Sequence, residues 1–308
     1  MLRATCTPFA EGSISRNIAG IVTIDVQEAF DEVFPGRLLL RLRQQGWPLP
    51  VLAWVRSYLT DRTASITLDE ETSQPFDLLC GLPQGSPVSP ILFLLYVESI
   101  LKLPLLRSGR GGRFGYADDA CFPAEGRTLS SCRLALQATL YQVREWGESN
   151  GILFAEEKTE LQYFTPRTRP PLGEPIQAGS YQVAPNKKTR WLGVHFDRRL
   201  TFKAHVELAC ARANKIASHV KHLRGTTYGA DLALICQTVQ GCALTSLFYG
   251  CKTWFNKRLG RGSVALVQKA LNHAARAVLP VNCTTPESAI LRETGSSYHM
   301  TAWQPESP

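Results

Sequence analysis

Apolar positions fall in two rhythms along this 308-residue chain. Up to about residue 198, short alternating or continuous apolar runs are broken by Gly, Pro and Asp. Beyond it, apolar residues recur every three or four positions. The first rhythm predicts strands mixed with helices and the second predicts helices alone. Ile21-Val22-Thr23-Ile24-Asp25 opens as a β-branched strand and ends on a carboxylate. Residues 38–45 and 51–58 read as two helices split by Gly46-Trp47-Pro48. Residues 62–68 and 76–80 read as paired strands. Gly81-Leu82-Pro83-Gln84-Gly85-Ser86-Pro87-Val88-Ser89-Pro90 is dense in breakers, with Ser86 as the expected N-cap and Pro87 at the first helical position. The helix after it, to about Leu103, is apolar on most sides and should be buried.

Phe114 to Phe122 follows as two short aromatic-rich flanks around Asp118-Asp119. Residues 130–149 carry an amphipathic stripe of Leu134, Leu136, Leu140, Val143 and Trp146, stopped by Asn150-Gly151. Residues 158–164 and 191–197 are further strand candidates, separated by a Pro-rich connection over 165–175. From Phe202 a stripe runs through Val206, Ala209, Ala213, Ile216, Val220 and Leu223, with Lys203, Arg212, Lys215, Lys221 and Arg224 off it. Residues 232–255, 264–279 and 285–293 complete the helical part. The pattern divides the chain into an unassigned segment 1–20, a mixed part 21–198 and a helical part 199–308, with no internal repeat.

Composition narrows the class. Hydrophobic content of 44% and charged content of 19% suit a globular chain rather than a disordered one. Lys plus Arg number 34 against 26 Asp plus Glu, a net charge of +8 that suits a polyanionic partner or simply a basic protein. Nine cysteines with no CxxC pair disfavour a disulfide scaffold or zinc ribbon and favour reduced thiols. His219 and His222 lie three apart but gain no further ligand pair. No signal peptide is evident, and the most apolar run, Ile91 to Val97, is too short to span a bilayer. An intracellular chain without a membrane partner is expected.

Adjacent carboxylates repel, so Asp118 and Asp119 belong in water, at a turn or around a cation. Composition alone leaves turn and metal site open. Four separated segments then point one way: Asp25 followed by Ala29-Phe30-Asp31, the Gly81–Pro90 run, Tyr116-Ala117-Asp118-Asp119, and Trp191-Leu192-Gly193-Val194-His195-Phe196-Asp197. In this order they resemble the polymerase core of reverse transcriptases, and most closely those of non-LTR (LINE-type) retrotransposons. Asn150-Gly151-Ile152-Leu153-Phe154 leading to Glu157-Lys158-Thr159-Glu160 is similar to another segment of that family. The resemblance runs from about residue 21 to about residue 295.

The resemblance implies an α+β fold: a right-hand palm, an antiparallel sheet with packed helices, followed by a helical thumb, with the fingers largely missing. It implies RNA-directed DNA synthesis using two Mg²⁺ ions (Mn²⁺ as a substitute), dNTPs, an RNA template and a DNA primer, in the nucleus. Asp25 and Asp118 would bridge the metals, Asp119 would support them, and the Val26 carbonyl would complete one shell. Phe30 would lie under the sugar, and Gln84 with Gly85 would approach the nascent base pair. Lys158 would protonate or neutralise the departing pyrophosphate, and Leu192-Gly193 would grip the primer. The basic helix from Phe202 would track phosphates. The family's nucleotide-holding basic motifs are not found before Ile21, nor are its endonuclease, RNase H or zinc-knuckle regions found elsewhere. The alternative expectation is therefore an inactive remnant that at most binds nucleic acid.

Overall fold

The protein is described from a computed structural model covering residues 18–103, 112–165, 173–223, 229–255, 259–279, 281 and 284–293. Arg224, residues 1–17 and the middle of the 165–175 connection, all named above, lie outside these. The chain divides into two compact units, one ending at Asn186 and one beginning at Lys187. The boundary therefore precedes the 191–197 strand segment rather than following it.

The first unit is built on a four-stranded antiparallel sheet ordered β6-β7-β1-β8, from β1 (Ile18–Asp25), β6 (Phe114–Tyr116), β7 (Asp119–Gly126) and β8 (Glu160–Phe164). β1 lies between two partners, which explains its nearly unbroken apolar run. Val22 and Ile24 oppose Phe122 and Ala120, and all four belong to the main core. Helix α4 (Leu129–Asn150) packs against this face. A Cβ on Gly20 would sit 2.7 Å from Leu136, so glycine lets this helix approach the strand. α4 opens with a reciprocal Thr128–Ser131 capping box and stops at Gly151, whose φ of 66° is left-handed.

Helices α1 (Pro35–Gln44) and α2 (Leu49–Leu59) follow β1, close to the expected spans. The expected pair of strands at 62–68 and 76–80 is instead two short ladders, β2 (Thr63–Ala64) with β5 (Phe76–Asp77) and β3 (Thr67–Leu68) with β4 (Glu71–Thr72). Left-handed Asp69 and Glu70 make the tip. Helix α3 spans Ser89–Leu101, two residues later than Ser86 capping would place it. Pro90 rather than Pro87 occupies its first turn, and Ser89 donates its hydroxyl to the Pro83 carbonyl at 2.6 Å. Lys158 ends a 3₁₀ turn, Glu156–Lys158, so β8 begins at Glu160. A hairpin of β9 (Ile176–Ala178) and β10 (Tyr181–Val183) completes this unit, in a stretch the pattern left unassigned.

In the second unit the 191–197 segment is not one strand. It is the end of a hairpin, β11 (Lys188–Trp191) and β12 (Val194–Asp197), turning at Leu192 and Gly193 with φ of 46° and 78°. The hairpin groups with the helices because Phe196 packs edge-on against Phe202 at 5.7 Å. The Asp197 carboxylate also accepts from the Arg199, Thr201 and Phe202 amides just before helix α5 (Lys203–Leu223). Residues 232–255 are not one helix either. They form α6 (Leu232–Thr238), a π segment (Val239–Leu244), α7 (Thr245–Leu247) and, after left-handed Gly250, α8 (Cys251–Trp254). By length and composition Leu232–Trp254 could cross a membrane. Here Ile235, Val239 and Ala243 pack against Ala217 and Val220 of α5 and against Ala274 and Val278 of α9 (Arg261–Val278). Helix α10 (Glu287–Glu293) follows.

Cys80, Cys132, Cys210, Cys236, Cys242 and Cys251 are free thiols. Burial pushes the Cys132 thiol up to about 12, so it is inert at neutral pH.

Candidate active site

The site is made by backbone ladders before any side chain enters. Asp25 ends β1 and Asp119 begins β7, and the two are direct cross-strand partners. Partners in an antiparallel ladder project from the same face, with Cβ atoms about 5 Å apart. Asp118 occupies the bend between β6 and β7 and accepts a hydrogen bond from the Val26 amide at 3.3 Å. The bend requires Ala117 at φ 53°, a left-handed conformation rare for a residue with a Cβ. Strain of this kind, of order 1 kcal/mol, persists where surrounding structure fixes the chain.

The other edge of β1 is fixed just as closely. The Ala155 amide donates to the Asp25 carbonyl at 3.0 Å, and the Gln27 amide donates to the Leu153 carbonyl at 2.9 Å. Val26 and Phe154 form the bridge between them. Gly147 makes room for this segment, because a Cβ there would come within 2.6 Å of the Phe154 ring. The 3₁₀ turn then delivers Lys158, whose Nζ donates to Asp25 Oδ2 at 2.7 Å. The hydrogen bond and charge of Asp25 raise the Lys158 pKa, and Glu157 and Asp118 add to the effect, so the ammonium stays charged at neutral pH.

Asp118 and Asp119 are exposed, while the Asp25 side chain is only 22% exposed. The donor set is all hard oxygen, the kind Mg²⁺ takes. Among the described residues, no three acidic, His or Cys side chains converge on one point. The Lys158 ammonium holds one Asp25 oxygen where a cation would bind. The residues fit a divalent ion by the chemistry of their oxygens but are not gathered around one point, and the Lys158 ammonium would have to leave Asp25 first.

A second loop is stitched to the chain beyond β1. The Leu82 amide donates to the Phe30 carbonyl at 2.7 Å and the Gly81 amide to the Val33 carbonyl at 2.9 Å. Gly81, at φ 86°, lies so close that a Cβ would meet the Asp31 carbonyl at 3.0 Å. The Gln84 side-chain amide donates to both Asp31 oxygens at 3.0 Å. Gly85 also has positive φ, at 84°, with open space around it. Phe30 is half-buried, and its ring centroid lies 5.3 Å from that of Phe93. Asp31 was visible in Ala29-Phe30-Asp31, but no sequence signal paired it with Gln84, 53 residues away.

Leu192 and Gly193 belong to the second unit. There the Tyr249 hydroxyl donates to the Leu192 carbonyl at 2.9 Å, and its ring lies 2.8 Å from where a Gly193 Cβ would be. His205, nearly buried, accepts the His195 amide on Nδ1 at 3.3 Å. Burial lowers its pKa, and His195 and Arg212 lower it further, against a backbone hydrogen bond with Tyr249. Neither Tyr249 nor His205 was marked by sequence.

Comparison with known proteins gives the family. Residues 5–196 match the family "Reverse transcriptase (RNA-dependent DNA polymerase)". A probable RNA-directed DNA polymerase from transposon X-element of Drosophila melanogaster is 27% identical over 241 residues, covering 78% of this chain and 26% of that protein. The corresponding protein of transposon BS, from the same organism, is 24% identical over 261 residues, covering 83% and 28%. The chain thus spans about a quarter of the length of these relatives. Among solved structures, a Candida albicans telomerase in complex with a fragment of telomeric RNA aligns over 96% of this chain and 53% of that one, with a TM-score of 0.48 and 13% identity. The chain belongs to the reverse transcriptase (RNA-dependent DNA polymerase) family, among the polymerases of non-LTR retrotransposons.

Proposed function

We propose that this chain is the palm and thumb of an RNA-directed DNA polymerase that adds dNTPs to a primer 3′-hydroxyl on an RNA template, in the nucleus. The observation that supports it most is the pairing of Asp25 with Asp119 across the ladder, with Asp118 in the adjoining bend. Asp25 and Asp118 would hold two Mg²⁺ or Mn²⁺ ions, with Asp119 and the Val26 carbonyl in support. Such ions lower the pKa of an attacking hydroxyl and stabilise the developing charge on the leaving oxygen. The first unit serves as palm, with part of the fingers in α1, α2 and the β2–β5 ladders, and the helical unit serves as thumb.

The chain's own groups do the rest. Lys158, charged and on an exposed stem, swings from Asp25 to the departing pyrophosphate and gives it a proton or a counter-charge. Phe30, backed by Phe93, forms the floor under the nucleotide sugar. The Asp31 carboxylate orients Gln84, and Gly85 leaves its turn open for close backbone approach to a base pair. The Leu192-Gly193 tip contacts the primer end, and exposed Lys and Arg side chains of α5 follow phosphates.

Primer extension on an RNA template with Mg²⁺ tests the reading. Wild-type chain should extend the primer, and Asp118→Ala should lower the rate by on the order of 10³-fold or more, as loss of a main transition-state stabiliser does. Undiminished extension by Asp118→Ala contradicts the metal assignment. Nucleic-acid binding without extension by the wild type, in Mg²⁺ or Mn²⁺, contradicts the polymerase reading.

A further inference from the structure

A cavity of about 160 Å³ lies behind the first catalytic carboxylate, on the side of β1 that faces α4. Its wall is apolar: Ile24, Leu140, Val143, Ile152 and Phe154. An apolar cavity of about this size accommodates one benzene ring. The lining also includes polar Thr159 and Gln177 and three charged residues, Arg144, Glu148 and Glu156, whose sum is negative. Arg144 pairs with Glu148 at 3.0 Å, which leaves Glu156 as the uncompensated carboxylate at the opening. Glu156 is held in place: one of its oxygens accepts from both the amide and the hydroxyl of Ser180, each at 3.2 Å. Its carboxylate folds over Gly179, where a side chain would collide with it.

We propose that this cavity is a binding site for a small cationic aromatic ligand: a single ring against the apolar wall, with an ammonium or amidinium group on Glu156. The class follows from the features together. The volume limits the body to one ring, the wall selects an apolar ring, and the fixed anion at the mouth selects a cation.

Occupancy acts on the catalytic strand. Ile24 immediately precedes Asp25, and Ile152 to Phe154, also in the lining, belong to the segment that bonds through Ala155 to the Asp25 carbonyl and through Leu153 to the Gln27 amide. A ring filling the space between them braces Leu153–Ala155 against β1 and so holds the Asp25 backbone in its ladder. This consequence for catalysis rests on the polymerase reading above, whereas the binding does not.

Benzylamine is the probe, and benzoate is the control of matched size and opposite charge. Calorimetry and ligand-observed NMR on the whole chain should show benzylamine bound about ten-fold more tightly than benzoate, as one charge-assisted hydrogen bond gives. Glu156→Gln should remove that preference, and Leu140→Phe, which fills the cavity, should remove binding of both. If Leu140→Phe does not fold, Glu156→Gln alone decides. At ten times its dissociation constant, benzylamine should slow hydrogen exchange of the Ala155 and Gln27 amides by about ten-fold. Equal affinity for both probes, binding indifferent to Glu156→Gln, or unchanged exchange at those amides overturns the proposal. None of these readouts requires polymerase activity, so a chain that extends no primer leaves them intact. In a chain that does extend, benzylamine should alter the rate in the wild type and not in Glu156→Gln.

Discussion

Two turns carry most of the candidate chemistry, and they are held by different means. The Ala117–Asp118 bend joins two strands of a four-stranded sheet, and the Val26 amide bonds directly to its backbone. The Leu192–Gly193 turn joins two strands of an isolated hairpin, and side chains from outside the hairpin hold it: Tyr249, in the turn before α8, on the Leu192 carbonyl and His205 of α5 on the His195 amide. The first turn is therefore anchored by the backbone of a sheet whose strands enter the core, and the second depends on a few side-chain bonds. A carboxylate that must position a cation within tenths of an ångström gains from the first arrangement. The second is the cheaper one to adjust or lose.

The comparison predicts unequal costs. Phe122→Ala empties a fully buried site in β7, and should destabilise the first unit by about 3–5 kcal/mol in urea unfolding. A loss under about 1 kcal/mol would mean that the β7 ladder is not what holds the Asp118 bend. Gly193→Ala strains a left-handed turn and drives a methyl into the Tyr249 ring, for a cost of about 1–3 kcal/mol. Combining it with Tyr249→Ala should recover part of that cost, and strict additivity would show that the ring is not the obstacle. Tyr249→Phe alone removes one hydrogen bond, about 1 kcal/mol.

A pH series sharpens the same contrast. His205 has a lowered folded pKa, so the unfolded chain takes up its proton first. The stability that the neutral ring gives is complete above the unfolded value of about 6.5. It is lost as pH falls from there through the lowered folded pKa. The unfolding midpoint of the second unit should drop across that window, and His205→Asn should flatten the drop. An unchanged slope in His205→Asn would remove His205 from the account of the hairpin.

The same contrast explains what could be read from sequence. The placement of Asp25 at a strand end and of Asp118-Asp119 at a bend was legible because each lies beside an apolar run, whereas joining them into one site rested on the family resemblance. The β1 run could be assigned to a strand, and the Asp pair to a bend, from neighbours alone, but the central place of β1 in the sheet emerged only from the fold. Three kinds of feature were not legible. The start of α3 lies at Ser89, after Val88 at the N-cap rather than Ser86, and the Ser89 hydroxyl bonds back to the Pro83 carbonyl, a contact across the turn that local pattern does not reveal. The 232–255 helix broke at a π segment and at Gly250, where a continuous apolar composition conceals the change of hydrogen-bond register. The partners of the second turn lie far along the chain, Tyr249 being 57 residues from Leu192. Long-range side-chain bonds leave no periodic trace, so Asp31 with Gln84 and Leu192 with Tyr249 emerged only from the fold.

The proposed divalent-cation site lies where β1 ends at Asp25, beside the bend at Asp118 and the start of β7 at Asp119, and Lys158 must vacate it. Mn²⁺ titration followed by electron paramagnetic resonance tests it without a substrate. The account predicts Mn²⁺ binding by the wild-type chain, loss of that binding in the Asp25→Asn/Asp118→Asn double variant, and tighter binding in Lys158→Met. Equal Mn²⁺ binding by the wild type and the double variant would contradict it.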